Sequence, residues 1–192
     1  PTEAEPLQVG VGVDAAAPAA PPFLGPDDAM IAKFTARPPI VWFGTSIAQG
    51  GAAQRPGAQY LNVLTRRLGR IVINAAFAGP AQEQANITRM LARLADPPPA
   101  AFVFDCLPDM RGASEHALIA PRLIADVRYL RAHGHPTTPI VVAEGTDYTN
   151  AWAMPALQEE LASRRSILRG AYKQLTAQPT PDAHLHYVNG SQ

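Results

Sequence analysis

A serine follows the first apolar run of the chain in a setting that could support nucleophilic catalysis. The run IVWF at 40–43 leads into GTSIAQGG, so Ser46 stands at the carboxyl end of a predicted strand. A serine there is exposed by position and, with a base beside it, can attack an acyl carbon. Thr45 and Ser46 could equally be turn or cap residues. The glycines of this turn lack both spacings typical of nucleotide phosphate sites.

Five short apolar runs must position that turn. They are rich in β-branched and aromatic residues and do not alternate with polar ones, as is typical of strands covered on both faces. The runs are 40–43, 71–74, 101–104, 140–143 and 185–188. Between them, apolar residues return at the spacing of helix faces. This order predicts a doubly wound α/β fold with five parallel strands, whose ligands bind at the loops after the strands.

Three ordered blocks resemble the SGNH/GDSL serine hydrolases. They are GTSIAQGGAAQRPGAQY, INAAFAG and FVFDCLPDM, each following a predicted strand. The likeness runs from about Pro38 to the C-terminus. It is strongest to the branch with a GTSI-x-QG block and a preceding β-rich domain. The resemblance implies a three-layer fold with flavodoxin-like strand order and the activity of a serine esterase.

The resemblance also implies an oxyanion site of three residues. Ser46 would be the nucleophile and would give one backbone N–H group, and Gly79 of FAGP would give a second. The family has an asparagine amide at the third place, where this chain has Asp109. An ionised carboxylate donates no hydrogen bond, so the site would lose roughly 3–4 kcal/mol of stabilisation. Burial and the nearby Asp105 could raise the pKa of Asp109, and a protonated Asp109 would donate again.

The fourth block of the family, Asp-x-x-His after the last strand, does not occur in the sequence. In the family its histidine is the general base. His184 and His186 lie near an aspartate at other spacings, and we interpret them as residues of the last strand. His116, His133 and His135 adjoin predicted helix ends and are interpreted as solvated polar residues. We therefore expect the base to come from a missing C-terminal segment or from a second chain.

Three other polar residues follow predicted strands. Arg55, in QRPG, matches the RPG of the family and either touches substrate or packs at a helix N-terminus. Glu144 and Asp147 follow the fourth strand, and we interpret them as exposed loop carboxylates without a role.

The composition predicts three segments of unequal length along the chain. Residues 1–13 are expected to be the remnant of an upstream β-rich domain, because LQVGVGV alternates like a strand without a partner nearby. Residues 14–38 form an expected Ala/Pro-rich linker. Residues 39–192 would be the hydrolase-like domain, truncated at its C-terminal end.

Charge and cysteine content exclude several classes of function. Lys+Arg and Asp+Glu number 16 each and form no basic face, which argues against nucleic acid. No apolar run reaches the roughly 18 residues of a membrane span. The single cysteine, Cys106, cannot form an internal disulfide, and no cluster has the spacing of a metal site, so we expect neither metal nor cofactor. Only the resemblance suggests a secreted or periplasmic location.

Two functions follow from these patterns. The first is a serine esterase or acylhydrolase that acts on small or carbohydrate-linked acyl esters such as acetyl esters. The second is a catalytically impaired module of the same fold that binds a ligand or partner. The retained GTS, QGG and RPG segments favour the first, whereas Asp109 and the lack of Asp-x-x-His favour the second.

Overall fold

A computed structural model describes Ala32 and residues 34–79, 81–177 and 179–190. The expected remnant at 1–13 and most of the expected linker at 14–38 lie outside the described residues.

Strands and helices alternate along the described chain. The strands are β1 (Ile40–Gly44), β2 (Val72–Asn74), β3 (Ala101–Asp105), β4 (Ile140–Ala143) and β5 (Leu185–Val188). The helices are α1 (Ser46–Gln49), α2 (Tyr60–Leu68), α3 (Ala85–Leu91), α4 (Ala113–Ala132) and α5 (Pro155–Thr176). Short 3₁₀ turns occupy Pro56–Ala58, Leu107–Asp109 and Ala151–Ala153.

The five strands form one parallel sheet in the order β2-β1-β3-β4-β5. Ile40 in β1 is in register with Val72 of β2 on one side and Ala101 of β3 on the other. The order reverses at β1, so the loops after β1 and β3 meet at the switch point where such sheets bind ligands. The predicted doubly wound α/β fold with flavodoxin-like order is confirmed.

The core consists of the strand side chains and the apolar faces of the long helices. Phe43, Phe102 and Phe104 are almost fully buried within the sheet layer. In α4, the side chains Ile119, Leu123, Val127 and Leu130 are likewise buried. Each such side chain contributes roughly 1.5–3 kcal/mol relative to exposure, which makes the sheet a rigid support for the loops at its carboxyl edge. Within the described ranges, no helix is long and apolar enough to cross a membrane.

Candidate active site

Ser46 is the first residue of α1, directly after the carboxyl end of β1. Thr45 before it is 1% exposed and caps α1, because its Oγ1 accepts a hydrogen bond from Ile47 N at 3.4 Å. The side chain of Ser46 is half-buried, and its hydroxyl makes no hydrogen bond to any residue that the structure describes. Thr45 therefore performs the capping, and the Ser46 hydroxyl is left for other interactions.

The glycines of GTSIAQGG let α1 pack tightly against its neighbours. A Cβ at Gly44 would lie 2.9 Å from the Cβ of Ala48. Gly50 ends α1 with φ +98° and leaves no room for a Cβ beside the buried side chain of Gln59. Gln59 donates from Nε2 to Ala48 O and accepts from Asn62 N at 2.9 Å. These contacts tie α1 to the start of α2 and fix the backbone on which Ser46 stands.

The loop after β2 carries Gly79 along the end of β1. Phe77 N donates to Gly44 O at 3.1 Å, which joins this loop to the strand end just before the turn that carries Ser46. Gly79 is exposed and has φ +77°. A Cβ there would meet nothing within 4 Å, so close packing does not require glycine at this position. The positive φ favours it.

The structure brings Asp109 to Gly79. Burial raises the pKa of the Asp109 carboxyl above its ordinary value, while the backbone N–H groups of Gly79 and Ala81, and then the charge of Arg111, oppose that rise. Asp109 Oδ2 is buried and has no hydrogen-bond partner among the described residues. The N–H group that the resemblance assigns to the oxyanion therefore acts on this carboxyl and lowers its pKa.

Asp105 is not among the groups that shift the pKa of Asp109, contrary to our expectation, and its carboxyl has other partners. Its Oδ2 accepts from Tyr60 OH at 3.0 Å and from Trp42 Nε1 at 3.3 Å. Burial raises the pKa of Asp105 to about 6, and the two hydrogen bonds oppose the rise.

Long-range contacts hold the turn that carries Asp109. Gln82 Nε2 donates to Asp109 O at 3.3 Å, and Arg122 Nη1 donates to Gln82 O at 2.6 Å. From α5, the fully buried Arg164 donates from Nη1 to Leu107 O at 2.9 Å. The loop after β2 and the turn after β3 are thus fixed to each other and to both long helices.

Two buried acids, Glu83 of the loop after β2 and Asp126 of α4, influence each other. Glu83 and Asp126 are each 2% exposed, and Glu83 has an unusual positive φ of 56°. Burial, followed by the charge of Asp126, raises the pKa of Glu83 well above its ordinary value, whereas Arg122 lowers it. Burial raises the pKa of Asp126 to about 7, while the nearby Thr88 hydroxyl and then the charge of Arg122 lower it. Both carboxyls are therefore best accommodated in their neutral forms.

This pair predicts a stability that falls as the pH rises from about 4 to about 7. Asp126 keeps its proton in the folded protein up to pH about 7, but loses it near pH 4 when unfolded. The free energy of unfolding should drop by up to about 1.4 kcal/mol per pH unit in that window. Asp126→Asn has no carboxyl to titrate at this position and should lose this pH dependence. Urea unfolding measures the free energy of unfolding at each pH. From pH 5 to pH 7, this free energy should fall by about 2 kcal/mol more in the wild type than in the variant. Equal decreases in the two proteins would contradict the assignment.

Two clefts open beside the turn that carries Ser46. The Ser46 cleft has a volume of about 460 Å³ and is lined by Ser46, Ile47, the small residues of the following turn, and Tyr60. The Asp105 cleft, of about 320 Å³, lies over the ends of β1, β3, β4 and β5. Ile47 and Tyr60 line both clefts.

Comparison with known proteins decides the family. The model of the GDSL-like lipase/acylhydrolase family matches residues 37–192, which is most of the chain. The chain belongs to this family. The resemblance found in the sequence blocks is confirmed. No match to the chain is found among the curated proteins.

Two solved structures illustrate the similarity of this GDSL-like chain. A candidate GDSL-like lipase from Bacteroides ovatus is 26% identical, with a TM-score of 0.73 over 83% of this chain and 44% of its own. The salicylyl-acyltransferase SsfX3 from a tetracycline biosynthetic pathway is 21% identical, with a TM-score of 0.59 over 80% of this chain and 42% of its own. The second likeness shows the fold alone. The chain thus spans less than half the length of either structure.

None of the histidines of this GDSL-like chain lines the Ser46 or Asp105 cleft among the described residues. His186 is an exposed residue of β5 as predicted, and His184 is exposed just before that strand. His116 lies 4.0 Å from Glu160. The interpretation of His135 as solvated is wrong: it is fully buried, with Nε2 3.1 Å from Ala92 O.

The interpretation of Glu144 as an exposed loop carboxylate is also wrong. Its side chain is fully buried, and Oε1 accepts from Arg169 Nε and from Tyr187 OH, both at 2.5 Å. Oε2 accepts from Gly190 N at 3.0 Å and lies 3.5 Å from Arg165 Nε. Burial raises the pKa of Glu144, but the bonds from Arg169, Tyr187 and Gly190 outweigh it and leave the pKa lowered.

Arg55 and Asp147 lie at the surface of the GDSL-like domain. Arg55 precedes the Pro56–Ala58 turn, and its exposed side chain makes no hydrogen bond or ion pair within the described part of the chain. Asp147 is exposed, as interpreted from the sequence, and accepts from Arg165 Nη1 at 2.6 Å.

Proposed function

We propose that the chain is a serine acylhydrolase in which Ser46 attacks the carbonyl carbon of an ester. The observation that carries this proposal is the unbonded Ser46 hydroxyl, which lines a cleft at the carboxyl end of β1. Membership of the GDSL-like lipase/acylhydrolase family supports it.

The reaction would proceed in two steps. The Ser46 Oγ forms a bond to the carbonyl carbon while its proton passes to a general base, and the carbonyl oxygen becomes an oxyanion. Backbone N–H groups of Ser46 and Gly79 would stabilise that oxyanion, with Asp109 as third neighbour. Collapse breaks the ester C–O bond, the protonated base gives its proton to the leaving alcohol, and water then hydrolyses the acyl-enzyme.

We place the general base outside the residues that line the two clefts. In these clefts, the described residues supply carboxylates but no imidazole. A further segment or a second chain that approaches Ser46 would complete the site. Arg55, exposed and near the nucleophile turn in sequence, remains a candidate contact for substrate.

The proposed substrates are small or carbohydrate-linked acyl esters, especially acetyl esters. The Ser46 cleft is lined largely by glycine and alanine, including Ala52, Ala53 and Ala58. Short side chains of this kind contact a small acyl group and provide little surface to bury a long one.

One observation favours the alternative, a catalytically impaired module that binds without hydrolysis. Gly79 N–H lowers the pKa of the Asp109 carboxyl, so an ionised Asp109 competes for a donor that acyl transfer needs. The balance between the two functions therefore depends on whether Ser46 is activated in the intact protein.

Labelling with a fluorophosphonate probe tests this directly. We expect the intact protein to be modified at Ser46, as read by mass spectrometry of its peptide, because the probe reports an activated serine. Ser46→Ala should abolish the label. Ser114→Ala removes an exposed serine on α4 and should label like the wild type. A folded wild-type protein without label would reject the esterase and leave the binding module.

A further inference from the structure

The Asp105 cleft contains a carboxyl group with one oxygen bound and one oxygen free. Trp42 Nε1 and Tyr60 OH both donate to Oδ2, at 3.3 and 3.0 Å. Oδ1 faces Gly145, where a Cβ would lie 3.8 Å from it. Within the described chain, no group donates a hydrogen bond to Oδ1. Two fixed donors thus orient an acceptor toward the cleft.

No protein cation balances this carboxyl among the described residues. Burial raises the pKa of Asp105 to about 6, and only the hydrogen bonds from Tyr60 and Trp42 oppose the rise. The other acid of the cleft, Glu144, is fully bonded to its arginines, to Tyr187 and to Gly190 N. A half-buried acceptor without a donor is costly to desolvate, so a ligand that brings a donor would be stabilised there.

The remaining walls favour a neutral ring that carries hydroxyl groups. Trp42 and Tyr60 pack edge to face at 5.7 Å and offer apolar aromatic surface. Thr146 and Asn189 add neutral polar groups, and no second unpaired carboxylate is present in the described lining to hold a cation. The volume of about 320 Å³ lies at the small end for ligand pockets and suits one ring.

We propose that the Asp105 cleft binds the alcohol side of the ester as a single hydroxylated ring, such as a pyranose, with Asp105 Oδ1 accepting from its hydroxyls. Trp42 and Tyr60 then contact the apolar face of the ring. This assignment rests on the proposed acylhydrolase, because Ile47 and Tyr60 join this cleft to the one that holds Ser46. Asp105 is therefore a specificity residue that need not take part in bond cleavage.

Tryptophan fluorescence can measure this binding without hydrolysis. The chain has two tryptophans, and Trp152 is 81% exposed outside the cleft. In a Trp152→Phe background of the full chain, Trp42 is the only reporter. Titration with methyl β-D-glucopyranoside should give a saturable change. Adding Ser46→Ala should leave it unaltered, so a failure of the esterase is distinguishable from a failure of this cleft.

Variants of the cleft decide the assignment. Asp105→Ala should weaken glucoside binding about 10-fold or more. Asp105→Asn keeps an acceptor and should weaken the binding by less than about 3-fold. Glu159→Ala removes an exposed acid on α5 and should not change the binding. Val188→Phe, at a position 50% exposed in the cleft wall, should also weaken binding and carries the test if Asp105→Ala does not fold. No saturable change, or binding unaffected by these cleft variants, would overturn the assignment. A preference for a cation would also overturn it. In that case propylammonium chloride would bind more tightly than the glucoside and would lose its binding in Asp105→Asn.

Discussion

Asp109→Asn is expected to raise the rate of ester hydrolysis by about 10²–10³-fold at neutral pH. In the wild type, the backbone N–H groups of Gly79 and Ala81 act on the Asp109 carboxyl and lower its pKa. An ionised carboxylate there consumes a donor and sets a like charge beside the oxyanion. The asparagine amide removes the charge and supplies an N–H donor, which stabilises the transition state and leaves the ground state almost unchanged.

The advantage of Asp109→Asn over the wild type should depend on pH. Burial raises the pKa of Asp109, so its neutral form, which can donate from O–H, becomes populated as the pH falls through that raised value. The ratio of kcat/KM between Asp109→Asn and the wild type should therefore be largest at high pH and shrink toward acid. Taking the ratio cancels any titration of the general base that both proteins share.

The control and the contrary outcome are both simple. Asp147→Asn removes an exposed carboxylate from the same edge of the sheet and should change kcat/KM by less than a few-fold. If wild-type turnover is too slow to follow, the two proteins can be compared by their rates of fluorophosphonate labelling at Ser46. Identical pH curves for Asp109→Asn and the wild type would mean that Asp109 is already a protonated donor, or that it does not face the oxyanion.

The fold could be predicted from the sequence because its signals are local. An unalternating run such as 140–143 predicts a buried parallel strand without knowledge of its neighbours. The turn that carries Ser46 also has local signals, since Gly44, Thr45 and Gly50 each have a local reason for their type: close approach to α1, a helix cap and a positive φ.

The buried polar contacts could not be predicted in this way, because their partners are distant in sequence. Asp105 and Tyr60 are 45 residues apart, and Arg164 and Leu107 are 57 apart. The sequence does contain one signal of such a buried contact. Arg164 lies three residues after Leu161 and four before Leu168, on the apolar face of α5, and a cation on such a face needs a buried partner.

Glu144 illustrates the same limit. A carboxylate in a loop after a strand is exposed in most proteins, and only the fold reveals that α5 returns over β4 and β5 to place arginines beside it. Arg165 and Arg169 lie one turn apart on α5 and reach the two oxygens of Glu144. Tyr187 of β5 and the N–H of Gly190 complete its coordination. This cluster therefore joins the last helix, the last strand and the wall of the Asp105 cleft.

Glu144→Ala is accordingly expected to cost about 3–5 kcal/mol of unfolding free energy, since it leaves buried cationic and polar groups without an acceptor. For a domain of this size, that corresponds to a melting temperature lower by roughly 10 °C. The pKa of Glu144 is lowered in the folded protein, so its contribution is present above its unfolded pKa and lost as the pH falls through the folded value. The gap in melting temperature between wild type and variant should therefore narrow toward acid.

Glu159→Ala, on the exposed face of the same helix, is the matched control and should shift the melting temperature by no more than about 1–2 °C. The position of Gly190 adds a second readout. Its amide donates to Glu144 Oε2, so Glu144→Ala should speed hydrogen exchange at Gly190 and along the adjoining end of β5 before it affects β3. An unchanged melting temperature together with unchanged exchange at Gly190 would show that this ion cluster does not anchor β5, because the cluster is the contact through which α5 would hold that strand end in place.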